Sequence, residues 1–184
     1  MGPSGVGKTT LLRIMMGLEL PDRGEVVGFG GLKKSAVFQE DRLLEGLSAA
    51  ANVSAACRRP PGAGAVMESL AAVGIGPDSC SQPVRSMSGG QRRRVAIVRA
   101  LEAEYDALFL DEPFKGLDEA TKAMALRYVR ARSAGRTVFL VTHDESECVA
   151  MGGTVTYLSP PPGAGGCGNV RRAGSGRPWG SKQC

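Results

Sequence analysis

The sequence predicts an α/β fold: a parallel sheet flanked by helices, with a helical stretch inserted in the middle. Three observations carry this. A glycine-rich loop, Gly2-Pro3-Ser4-Gly5-Val6-Gly7-Lys8-Thr9, runs straight into a segment with apolar residues at helical spacing. Residues 107–158 alternate short apolar runs with helical ones, the pattern of parallel strands joined by helical crossovers. Between these regions, about residues 41–101 read as helical.

The elements follow in order. Residues 9–18 form the first helix, ended by Gly17 and by Pro21-Asp22-Arg23-Gly24. Val26-Val27 and Ala36-Val37-Phe38 are short strand candidates around Gly28-Phe29-Gly30-Gly31. Residues 43–57 and 65–73, rich in Ala and Leu, are helical, with Arg58-Arg59-Pro60-Pro61-Gly62 breaking the chain between them. Residues 89–101 make a third helix in this region, capped by Ser88. Then come a strand at 107–110, a helix at 118–131, a strand at 137–141, a short helix at 144–150 and a last strand at 154–158. From Ser159 to Cys184 the chain is dominated by Gly, Pro, Ser and Arg, a composition that cannot bury enough apolar surface to order itself.

Composition narrows the function. The 184 residues suit one domain. No apolar run approaches the roughly 18–20 residues needed to span a bilayer, and no signal peptide is visible. Val6 stands where a myristoylation signal wants Ser or Thr. Cys57, Cys80, Cys148, Cys167 and Cys184 are odd in number and widely spaced, so they make no zinc or redox motif and read as reduced thiols of a cytosolic protein. The net charge of +5 owes four units to Arg171, Arg172, Arg177 and Lys182, in a tail without acids. The body is nearly balanced, which argues against a nucleic-acid partner.

The opening loop fits G-x-x-x-x-G-K-[ST]. Its glycines let the backbone wrap a phosphate, and the following helix adds the positive end of its dipole. Lys8 has the reach for β- and γ-phosphate oxygens, and the Thr9 hydroxyl is a Mg²⁺ ligand type. Ala107-Leu108-Phe109-Leu110 ends in Asp111-Glu112. Ligands of parallel sheets sit at the carboxyl ends of strands, where Asp111 suits a hydrated Mg²⁺ and Glu112 suits a water-activating base. His143, the only histidine, follows the next strand at the same end, where it has access to a γ-phosphate or an attacking water.

Met87-Ser88-Gly89-Gly90-Gln91-Arg92 lies between the phosphate loop and the acidic strand. It resembles the signature sequence of ATP-binding-cassette ATPases, with Met in place of the commoner Leu. Val37-Phe38-Gln39 resembles the family's Q-loop, Gly116-Leu117-Asp118 its D-loop and Thr142-His143-Asp144 its switch-histidine loop. The resemblance covers residues 2–158. It implies a P-loop ATPase domain at 1–158 with a helical subdomain at about 41–101; the tail at 159–184 is expected, from its composition, to be disordered. It implies ATP on Gly2, Pro3, Ser4, Gly5, Val6, Gly7, Lys8, Thr9 and Thr10, with Mg²⁺ at Thr9, Gln39 and Asp111. Glu112, His143 and Gln39 would be catalytic. Ser88, Gly89, Gly90 and Gln91 would serve the nucleotide of a second, head-to-tail subunit.

The strings around Gln39 and Glu112 resemble importer subunits of the nitrate, sulfonate and taurine group. That implies a transmembrane permease partner docked near Gln39, an external solute-binding protein, and a peripheral place on the cytoplasmic face of the membrane. The family's N-terminal antiparallel strands, its adenine-stacking aromatic and the strand that leads into the phosphate loop have no counterpart before Gly2, so the chain reads as N-terminally truncated. A poorly active cassette remnant and a soluble cassette ATPase remain the alternatives.

Overall fold

The computed structural model describes residues 1–159 and 170–173. Three parallel strands form the main sheet, in the order β1 (Lys34–Val37), β2 (Ala107–Asp111), β3 (Thr137–Val141). Register is continuous: Val37 lies beside Leu110, and Asp111 beside Val141. All five residues of β2 are buried, because it has a strand on each side and helices on both faces.

Side-chain alternation along β2 divides the core. Leu108 and Leu110 face one way and pack with Val37 and the helical region, α2 (Ala49–Ala55), α3 (Ala63–Ala72) and α5 (Gly89–Glu102), with α6 (Glu119–Arg132) closing over them. Ala107 and Phe109 face the other way, against Leu12 of α1 (Lys8–Met16) and the half-buried Phe29 and Phe139. The rings of Phe109 and Phe139 stack at 5.0 Å, and Phe29 leans on both.

Local chemistry sets the ends. Helix α1 stops at Gly17, whose left-handed φ of 77° turns its N–H back to the carbonyls of Arg13 and Ile14. The Asp118 carboxylate caps α6 by accepting from the N–H groups of Ala120 and Thr121. Short helices α4 (Pro77–Cys80) and α7 (Glu145–Met151) complete the set. Among the described residues, no helix is long and apolar enough to cross a membrane.

The structure corrects the sequence reading in four places. Val26 and Val27 form no strand; both are exposed. The helix expected from 43 begins only at Ala49, because the Asn52 side chain holds 44–48 as a loop. Its Oδ1 accepts from the Leu44 N–H, and its amide donates to the carbonyls of Leu44, Leu47 and Ser48. The last strand, β4 (Val155–Leu158), stands outside the main sheet and pairs antiparallel with β5 (Val170–Ala173). A β5 at 170–173 also departs from a tail read as unable to order; 160–169 and 174–184 lie outside the described residues.

Candidate functional site

The glycine-rich loop is pinned at its entrance. The Met1 ammonium donates to the Thr156 carbonyl at 2.5 Å, and the Leu158 N–H donates to the Met1 carbonyl at 2.8 Å. Those two bonds straddle Tyr157 in the manner of a parallel strand pair, so Met1 makes one rung beside β4. Gly2 is obligatory there: a Cβ would lie 2.5 Å from the Leu158 carbonyl oxygen, and φ is 150°. At the far end of the loop, Lys8 is buried and donates to the carbonyls of Gly2 and Pro3, both at 2.8 Å. An ammonium carries three N–H groups, so one is left for another acceptor. Pro3, Ser4, Gly5 and Gly7 are exposed.

The loop meets the end of β2 through Thr9, whose hydroxyl donates to Asp111 Oδ2 at 2.8 Å. Asp111 is only 3% exposed, and its other oxygen is buried without a hydrogen-bond partner. Burial pushes this carboxyl above its ordinary value, while the Thr9 hydroxyl pulls it back. A native protein rarely leaves such an oxygen orphaned. Its proximity to a second hard oxygen, Thr9 Oγ1, makes the pair a fit for Mg²⁺, a cation that takes one or two protein oxygens and leaves the rest of its shell to water and phosphate.

Glu112 follows with a left-handed φ of 48°. Its N–H donates to the Val141 carbonyl at 2.9 Å, extending the β2–β3 ladder. The carboxylate Oε2 accepts from Lys115 Nζ at 2.9 Å, and Oε1 lies 3.7 Å from His143 Nδ1. The Lys115 hydrogen bond leads in holding the Glu112 carboxyl below the usual range, against partial burial. A cleft of about 170 Å³ opens here, lined by Glu112, Lys115, His143 and Asp144 among others.

The expected residues divide into two groups. Thr9 with Asp111, and Glu112 with His143, are brought together at the carboxyl ends of β2 and β3. Among the described residues, no hydrogen bond or ion pair joins the segment 88–91 to the phosphate loop. Ser88 and Gly89 are exposed at the start of α5, where Ser88 and Gln91 form a reciprocal capping box. The Gln39 side chain is exposed as well.

Three residues that sequence reasoning did not single out hold parts of the site in place. Arg93, buried on α5, donates to the carbonyls of Phe38 and Gln39 and pairs with Asp41 Oδ1 at 3.3 Å, tying the 88–91 helix to the Gln39 loop. Lys115 holds Glu112. Lys122, buried on α6, pairs with Asp144 beside His143. The Arg92-Arg93-Arg94 run offers a weak signal for the first; the other two depend on contacts made by the fold.

Comparison with known proteins gives these features a context. The sequence profile of the family described as "ABC transporter" matches residues 1–115. The aliphatic sulfonates import ATP-binding protein SsuB 1 of Rhodococcus jostii (strain RHA1) is 42% identical over 166 residues, covering 86% of this chain and 66% of that protein. The taurine import ATP-binding protein TauB of Chromobacterium violaceum is 39% identical over 178 residues, covering 89% and 67%. The chain thus spans about two thirds of the length of these relatives. Among solved structures, a post-hydrolysis dimer of the ATP-binding cassette MJ0796 bound to ADP and Pi superposes with a TM-score of 0.73 at 28% identity, covering 85% of this chain and 78% of that one. On the family match and these identities, the chain belongs to the ABC transporter family.

Proposed function

We propose that this chain binds ATP with Mg²⁺ at the phosphate loop and hydrolyses it, as the ATP-binding subunit of an importer for a small solute of the sulfonate or taurine kind. The observation that carries the reading is the Thr9–Asp111 contact, with its orphaned carboxylate oxygen, next to Glu112 at the mouth of the loop. In this reading residues 1–158 are the nucleotide-binding unit and about 41–101 its helical subdomain.

The roles follow from chemistry. Lys8 and the loop N–H groups meet the negative charge of the phosphates. Thr9 and Asp111 would hold Mg²⁺, which when bound offsets charge on the phosphate oxygens, with Gln39 near the same shell. Glu112 orients a water and accepts its proton as the water oxygen bonds to the γ-phosphorus and the bond to the β–γ bridging oxygen breaks, giving ADP and phosphate. His143, beside Glu112, helps hold the water and the γ-phosphate. Ser88 and Gly89, exposed on their own chain, together with the half-buried Gly90 and Gln91, serve the nucleotide of a second subunit in a head-to-tail dimer. A permease docks near Gln39 at the cytoplasmic face of the membrane, and an external binding protein delivers the solute to it.

The experiment is Glu112→Gln, which keeps the side-chain shape and removes the base. Phosphate release is expected to fall about 100-fold or more, with equilibrium binding of a fluorescent ATP analogue retained. Turnover equal to the parent would overturn the assignment.

A further inference from the structure

We propose that Lys122 is a positioning residue for His143, and that through it the loop 116–118 is tied to the histidine. The proposal rests on the hydrolytic reading above. Its geometry begins in the first turn of α6. Asp118 caps that helix, and the Lys122 N–H donates to the Asp118 carbonyl at 2.8 Å, so Lys122 moves with the 116–118 loop.

From there the Lys122 ammonium crosses to another element. It donates to Asp144 Oδ2, and it lies 3.7 Å from Glu147, which is buried on α7, and 3.7 Å from Glu119 on its own helix. The other Asp144 oxygen accepts from the Ser146 N–H at 2.8 Å and from its hydroxyl at 2.6 Å. Both oxygens of Asp144 are therefore committed, one to α7 and one to α6. On the other side of the histidine, Thr142 is buried and its Oγ1 accepts from the Asp144 N–H at 3.0 Å.

His143 thus sits between two anchored neighbours. Its own side chain is 68% exposed, and among the described residues the one ion-pair contact it makes is with Glu112 at 3.7 Å. The ring's position relative to Glu112 is set by the backbone at Thr142 and Asp144. Without Lys122, Asp144 and the buried Glu147 lose the cation they share, and two neighbouring carboxylates repel each other at the foot of the histidine.

The chain has a single histidine, so its imidazole gives one set of signals in a ¹H–¹³C spectrum of the intact protein. In Lys122→Met these signals are expected to move and broaden, while the amide signals of β2 and α5 stay in place. Lys122→Arg is expected to restore them. Should Lys122→Met fail to fold, Asp144→Asn keeps the acceptor for Ser146, weakens the same ion pair and is expected to give the same displacement. In turnover, Lys122→Met is expected to lower kcat about tenfold with KM for ATP within about twofold. Imidazole signals that superpose on the parent's in both Lys122→Met and Asp144→Asn would overturn the proposal and leave Lys122 as a plain staple between helices. Displaced signals in a protein whose parent shows no turnover would instead count against the hydrolytic reading alone.

Discussion

Strands β2 and β3 are close in composition and opposite in circumstance. Each has five residues, mainly apolar, Ala-Leu-Phe-Leu-Asp in one and Thr-Val-Phe-Leu-Val in the other. Every residue of β2 is buried; Thr137 of β3 is exposed and the next four are only half-buried. The difference is neighbours. β2 has a strand on each side, whereas β3 is, among the described residues, the last strand of its sheet. Past β3 lies a cleft of about 290 Å³, lined by Val138, Leu140, Cys148, Met151 and Val155, with β4 beyond it. A continuous apolar run records how much cover a strand is suited to, and β3 has less than its sequence suits. The contrast reaches the site, since Asp111 and Glu112 extend from the strand held on both sides and His143 from the one held on one side.

The widest separation is expected in the core. Phe109→Ala should cost about 3–5 kcal/mol, as large truncations in closed cores do. Phe139→Ala, at a site with room to relax, should cost about half as much. Denaturant unfolding of the two variants measures the gap, and equal losses would mean that β3 is as tightly packed as β2. A smaller effect is expected from covering the open edge. Lengthening the chain with an extended apolar segment ahead of Met1 continues the rung that Met1 already makes with β4 and offers β3 a partner. A net gain of about 2 kcal/mol would raise Tm by about 4–8 °C; an unchanged Tm would show that the cleft does not admit a strand.

The smallest effect concerns charge at the end of β2. The Glu112 carboxyl lies below its ordinary value chiefly because Lys115 donates to it. A depressed value keeps the carboxylate ionised further into acid. Lys115→Ala lets that value rise, so the acid limb of the kcat/KM profile should move to higher pH, with activity lost earlier on acidification. An unmoved limb would mean that Lys115 is not bonded to Glu112 in solution.

How legible all this was in the sequence depended on the range of the interactions. Gly17, Ser88 and Asp118 mark helix ends because capping is local chemistry, and 137–141 was read to the residue because its apolar run is bounded on both sides. Thr9, Asp111, Glu112 and His143 could be placed together because parallel strands put their carboxyl ends on one edge of the sheet. What escaped was non-local. Val26-Val27 has the residues of a strand but, among the described residues, no partner. Residues 43–48 have the composition of a helix, but one amide side chain, Asn52, claims their backbone. Lys122, Lys115 and Arg93 look like ordinary surface charges until the fold gives two of them burial and all three a carboxylate or carbonyl to hold.

The left-handed backbone of Glu112 sets two selective pressures against each other. An L-residue with a full side chain gives up about 1–2 kcal/mol in that conformation, and glycine gives up almost none of it. A population screened only for resistance to heat would therefore drift toward glycine at this position and discard the carboxylate next to His143. On the role proposed above for Glu112, a population screened for ATP turnover would keep the glutamate and carry the strain.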